Sequence, residues 1–268
     1  MRGIFALLLL GTASAAHAED AKPYTEVFYR SGDLRIQAYL YKPAGDGPFP
    51  AIVYNHGSRE GHERQSVPWV RIAAVYTKAG FVVLVPERRG YGTSDGLTFR
   101  EAVGKDVGTV FINRLRDEAD DVIAAAEYLR TVPFVDSGRI GVSGHSFGGI
   151  VTVFSASRTD AFKVAIDLAG GALTWKRSAA LRNALVDAAE HARAPMLLLV
   201  AANDRTTESV TALDEAMTQR GLPHEAKIYP PYTPPRQTSN PAGHELFGAD
   251  GAAIWGGDVI AFARRYLD

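Results

Sequence analysis

Short, unbroken apolar runs alternate with longer stretches of helical spacing along most of this chain. Ala51 to Tyr54, Phe81 to Val85, Ile140 to Ser143, Val164 to Leu168, Met196 to Ala201 and Glu225 to Tyr229 read as strands, most of them buried on both faces. Helical spacing covers Val70 to Ala79, Asp117 to Arg130, the stretch from Phe147, Lys176 to His191, Glu208 to Arg220 and Ala252 to Tyr266. Ahead of these, Val27 to Arg30 and Leu34 to Tyr41 flank Ser31-Gly32-Asp33, a hairpin with a glycine turn. An antiparallel start followed by β-α alternation predicts an α/β protein, with about eight strands in a mostly parallel sheet and helices on both faces. Two further helical stretches, Phe99 to Leu115 and Trp175 to Ala188, are placed to cover a substrate. Pro230-Pro231-Tyr232-Thr233-Pro234-Pro235 reads as a stiff loop, because a strand precedes it and a helix follows.

The N-terminus departs from this pattern. Met1-Arg2-Gly3 is a short positive segment, Ile4 to Leu10 is apolar, and Ala16-His17-Ala18 is a small-x-small cleavage site. Residues 1–18 therefore read as a cleavable signal peptide rather than a buried N-terminal helix, leaving residues 19–268 as a single catalytic domain in the periplasm or outside the cell. The apolar run is too short to span a membrane. A net charge of -1 without a long basic run speaks against a nucleic-acid partner. The chain has no cysteine, which excludes thiol nucleophiles, thiolate metal sites and disulfides.

Candidate chemistry centres on Gly144-His145-Ser146-Phe147-Gly148, set between the strand at Ile140 and a helix. A serine on such a sharp turn is held out at the top of the sheet, and the helix N-terminus adds positive potential. It needs a histidine base and a carboxylate behind it. Of the seven histidines, His244 is the best placed, following the last strand and preceding the last helix. Asp204 follows the strand Met196 to Ala201, and the order Ser146, Asp204, His244 is that of the α/β-hydrolase motif. Helix capping ahead of Glu208 is the other use of an aspartate at that position. For the oxyanion, the backbone N–H of Phe147 and that of Ser58, in Asn55-His56-Gly57-Ser58-Arg59, are the expected donors, with Arg59 as competitor for the second. His56 is read as orienting that loop.

These residues resemble the α/β-hydrolase superfamily, and within it the dienelactone-hydrolase-like and prolyl-oligopeptidase-like serine esterases. The resemblance extends to Arg89-Gly90-Tyr91-Gly92-Thr93-Ser94, to Asp120-Asp121-Val122 and to the approach Val135 to Val142. It implies the α/β-hydrolase fold and hydrolysis of a small-molecule carboxylic ester through an acyl-enzyme, with no metal and no organic cofactor. Serine stands where dienelactone hydrolases carry cysteine, Ala201 replaces a usual glycine, and there is no room for the propeller of prolyl oligopeptidases. Tyr91, Trp175 and Phe247 are expected to wall the substrate site, together with Phe99, Phe111, Phe147 and Leu246, although each would serve equally in a core. An amidase or small peptidase using the same residues is the alternative, and a non-catalytic hydrolase-fold binding protein is a second.

Overall fold

Eight strands form one sheet in the order β1-β2-β4-β3-β5-β6-β7-β8. They are β1 (Thr25–Ser31), β2 (Leu34–Tyr41), β3 (Phe49–Asn55), β4 (Val82–Glu87), β5 (Val135–His145), β6 (Ala165–Leu168), β7 (Met196–Ala201) and β8 (His224–Tyr229). β2 runs antiparallel to both β1 and β4, and every later pairing is parallel. This computed structural model describes residues 22–236 and 238–268, so the expected signal segment, residues 1–18, lies outside the described residues.

β4, β6 and β7, whose sequences are largely apolar, are buried throughout. Helices on both faces cause this. α1 (Val70–Thr77) packs with α7 (Ala252–Leu267) on one side, while α3 (Thr109–Arg130), α4 (Phe147–Arg158), α5 (Ala179–Glu190) and α6 (Glu208–Gln219) follow one another on the other. The edge strand β8 is largely exposed and carries Glu225 and Lys227, charges that discourage pairing with another chain.

One expected segment is divided differently. Phe99 to Leu115 is not one covering stretch: the short α2 (Phe99–Val103) ends at Gly104, whose φ of 59° only glycine adopts without strain. Thr98 and Glu101 cap its start reciprocally. The helix expected from Asp117 begins at Thr109 instead, because Asp106 Oδ1 accepts the N–H groups of Gly108 and Phe111, at 2.9 and 3.0 Å. Trp175 likewise lies in a single 3-10 turn, and α5 starts behind Ser178, whose hydroxyl accepts the Leu181 N–H.

The carboxyl end of β4 ties the layers together through three consecutive charged residues. Glu87 receives both Arg59 and the Val67 N–H. Arg88 donates from Nε to Glu118 of α3 at 2.7 Å and from Nη2 to the His56 carbonyl at 2.9 Å. Arg89 forks onto Asp121 of α3. Neither the Arg88 nor the Glu118 side chain touches solvent. Replacing Glu118 with alanine leaves a buried guanidinium without its carboxylate, so we expect a loss of about 3–5 kcal/mol in unfolding free energy, read from urea denaturation.

Candidate active site

The turn between β5 and α4 is strained where the sequence predicts the nucleophile. Ser146 has φ 58° and ψ -118°, a backbone conformation that L-residues rarely adopt, and its N–H is held by the Leu168 carbonyl at 2.9 Å. The flanking glycines make this turn possible by close approach. A Cβ on Gly144 would lie 2.2 Å from the Gly148 carbonyl oxygen, and one on Gly148 would lie 2.0 Å from that of Asn55. Ser146 is 9% exposed, at the lip of the sheet's carboxyl edge.

His244 and Asp204 meet at the same edge. His244 Nδ1 stands 2.8 Å from Asp204 Oδ2, and both side chains are almost wholly buried. Asp204 Oδ1 accepts the Arg205 N–H at 2.6 Å. With Nδ1 engaged by a carboxylate, Nδ1 carries the proton and Nε2 is the basic nitrogen. That Nε2 is buried and has no partner among the described residues. His244 sits on a 3-10 turn, Ala242–Phe247, rather than in an irregular loop. Gly243 lets this turn press on Asp204, since a Cβ there would lie 2.4 Å from the Asp204 nitrogen. The proline-rich loop is clipped to the same place by Asn203, which bonds both the N–H and the carbonyl of Tyr232.

Across the turn lies the loop after β3. Gly57 approaches so closely that a Cβ would stand 3.2 Å from Ser146 Cβ. The Ser58 N–H has no protein acceptor among the described residues, and the Phe147 N–H opens α4, where no intrahelical acceptor exists. Both expected donors are therefore free. His56 is structural, as read: its Nδ1 donates to the Gly57 carbonyl at 2.7 Å, and burial, with Arg88 and Arg59 adding to it, holds the imidazole well below its usual range and hence neutral.

Of the residues expected to wall the site, Tyr91, Trp175 and Phe247 are core instead, at 0, 4 and 0% exposure. Tyr91 lies under the guanidinium groups of Arg59 and Arg88 and edge-on to His56. Phe247 packs on His145 and Tyr229. Leu246 is buried as well. A cleft of about 260 Å3 opens beside Ser58 and Phe147, and Phe99 and Phe111 do line it.

Nothing in the sequence pattern singles out His145, the neighbour of Ser146. Its Nε2 donates to the His244 carbonyl at 3.1 Å, and the two rings stand 4.8 Å apart. Burial, then the neighbouring His244, pulls the His145 imidazole down to about 3, so it stays neutral. Asp167 was also missed. It ends β6 beneath α4, 1% exposed, where its Oδ1 accepts the Gly170 N–H at 2.8 Å. The only earlier sign was an aspartate inside an apolar strand.

The fold is that of the α/β hydrolases, whose solved structures include both peptidases and esterases. Residues 68–179 match the prolyl oligopeptidase family. A putative carboxymethylenebutenolidase of Methylorubrum extorquens is 28% identical over 200 residues, 73% of this chain and 66% of the relative. Among solved structures, Pyrococcus horikoshii acylaminoacyl peptidase superposes with a TM-score of 0.68 at 17% identity, covering 91% of this chain and 41% of the peptidase. Acetyl xylan esterase 1 from Thermoanaerobacterium has a TM-score of 0.64 at 17% identity, covering 91% of this chain and 84% of the esterase. At these identities the structural likeness is one of fold. This chain thus spans under two thirds of the butenolidase relative and under half of the peptidase.

Burial pushes the Asp167 carboxyl up to about 7, against the lowering pull of the Gly170 N–H. Between the ordinary carboxylate value and about 7, the folded chain keeps a proton that the unfolded chain releases. This contribution to stability is complete at acid pH and is lost as the pH rises towards about 7. Asp167→Asn, which cannot ionise, is expected to melt higher relative to the parent at pH 8 than at pH 4, by on the order of 5–10 °C. Thermal melts at the two pH values check this, and an equal difference at both overturns it.

Proposed function

We propose that this chain is a serine esterase working through an acyl-enzyme, with Ser146 as nucleophile, His244 as base and Asp204 as the carboxylate that holds it. One observation carries the reading: His244 is anchored through Nδ1 by Asp204 while its Nε2 is buried and unpartnered, at the sheet edge that presents the strained Ser146. Ser146 Oγ adds to the ester carbonyl carbon as its proton passes to His244 Nε2. The carbonyl oxygen becomes an oxyanion that the Phe147 and Ser58 N–H groups stabilise. Collapse breaks the bond to the alkoxide, which leaves with the proton from His244. Water then adds to the acyl-enzyme with His244 again as base, releasing the acid and restoring Ser146. Asp204 stabilises the imidazolium in both halves and is not itself protonated.

A peptidase or amidase has support of its own in the prolyl oligopeptidase match, because the same steps cleave an amide when the imidazolium protonates a leaving amine. Ester cleavage is put first here because the relative matched over 73% of this chain is named a putative carboxymethylenebutenolidase. Export by a cleaved leader ending at Ala18 remains part of the proposal, supported by Arg2, the apolar Ile4 to Leu10 and the Ala16-His17-Ala18 triplet.

Two measurements test these readings. Ser146→Ala and His244→Ala are each expected to lower kcat/KM for p-nitrophenyl butyrate by about 1000-fold or more, with p-nitroanilides cleaved far more slowly than esters by the parent. Undiminished ester hydrolysis by Ser146→Ala overturns the nucleophile assignment, and faster anilide cleavage puts the peptidase reading first. For export, protein recovered from outside the cytoplasm is expected to begin at Glu19, and an N-terminus at Met1 in that fraction counts against a cleaved leader.

A further inference from the structure

The cleft beside Ser58 and Phe147 contains a carboxylate that nothing in the mechanism uses. Glu63 is 6% exposed and lines this cleft, and its Oε1 is buried without a hydrogen-bond partner among the described residues. A buried carboxylate oxygen without a donor is costly, and the cost is relieved when a donor arrives.

The cations near it in sequence are committed elsewhere. Arg59 is bound to Glu87 and to the Gln65 carbonyl, and Arg64 to the carbonyls of Ser94 and Gly96. Arg100, Lys105 and Arg177 also line the cleft, but they are exposed, and none forms an ion pair with Glu63. In water such long side chains act weakly and are screened by salt. Opposite polarity is built into the wall as well. Phe99, Phe111 and Phe147 pack ring against ring at 5.1 to 5.8 Å, presenting the aromatic surface that attracts a cation, and Glu60 adds a second carboxylate to the lining.

We infer that the substrate of this site carries an ammonium group on the part that enters the cleft, with Glu63 as its acceptor and the phenylalanine cluster beside it. The inference rests on the proposed esterase reading and narrows its substrate class to esters of amine-bearing acids or alcohols. An ammonium supplies three donors and a full charge, which is what Glu63 Oε1 lacks. A neutral hydroxyl or amide supplies a donor without the charge, and an anionic group is repelled.

Three p-nitrophenyl esters of matched length separate these outcomes: one with a terminal ammonium, one with a terminal methyl and one with a terminal carboxylate. Each is assayed with the parent, Glu63→Gln and Glu63→Asp, alongside Ser146→Ala. The expected result is a kcat/KM for the ammonium ester about tenfold or more above that for the methyl ester. That ratio should collapse towards one in Glu63→Gln and be partly kept in Glu63→Asp. Because the readout is a ratio within each preparation, a variant that folds less well does not obscure it. A ratio near one in the parent, a ratio untouched by Glu63→Gln, or a preference for the carboxylate ester overturns the inference. If the methyl ester is still cleaved in a Ser146-dependent way, the esterase reading survives that failure. If no ester is cleaved, both fall.

Discussion

The Arg88–Glu118 pair is the contact on which the working edge of this molecule depends. Its two side chains are removed from water altogether, and ion pairs so placed contribute little net stability, because desolvation offsets most of their attraction. What the pair does is fix geometry. Arg88 extends from the end of β4, so by gripping Glu118 it sets the position of α3 against the sheet. With its other arm it holds the His56 carbonyl, and so fixes the loop that carries Gly57 and Ser58. Glu87 and Arg89 repeat the device on either side, one binding Arg59 and the other Asp121. Three consecutive residues thereby place one loop and one helix relative to Ser146. Lysine would not serve at Arg88, since the two bonds leave in different directions from a planar fork.

The neutral imidazoles around the proposed base follow from the same burial. His56 and His145 are both held uncharged, the first beneath the Ser58 loop and the second against His244. A proton gained by His244 during turnover therefore meets no second imidazolium nearby, and its attraction to Asp204 is not offset. His145 also donates to the His244 carbonyl, steadying the turn from which the base projects. Two buried, uncharged histidines thus surround the third without adding positive charge.

Much of the fold was legible because the relevant signal was local. The hairpin, the strand order of apolar runs and the punctuation by glycine all depend on a few adjacent residues, and β7 occupies the span read for it. The two places where helix boundaries were misread, Thr109 and Ala179, are set by side-chain caps, Asp106 and Ser178, that lie among several equally plausible polar residues. The wall residues were read less well for a different reason. Aromatic side chains have the same sequence appearance whether they face a cleft or a core. Only packing against Arg88 and Tyr229 assigns Tyr91 and Phe247 to the interior. Glu63 carried no signal at all, because nothing local distinguishes a buried glutamate in Glu60-Gly61-His62-Glu63-Arg64 from a solvated one.

The site offers two carboxylates at neighbouring strand ends, and their surroundings separate their roles. Asp167 lies near the end of β6 and Asp204 follows β7, so chain topology alone permits either to stand behind a histidine. Asp167 accepts the Gly170 N–H and is packed so tightly under α4 that a Cβ on Gly149 would lie 2.2 Å from its Oδ1. No cation and no imidazole bonds to it among the described residues, and its carboxyl is correspondingly reluctant to ionise. Asp204 instead faces the His244 ring and has the Arg205 N–H on its second oxygen. A carboxylate that is to stabilise an imidazolium must have that ring as its hydrogen-bond partner. Only Asp204 has that partner. Asp167 suits a different requirement, a polar group that accepts the Gly170 N–H and ties the loop after β6 under the Ser146 turn.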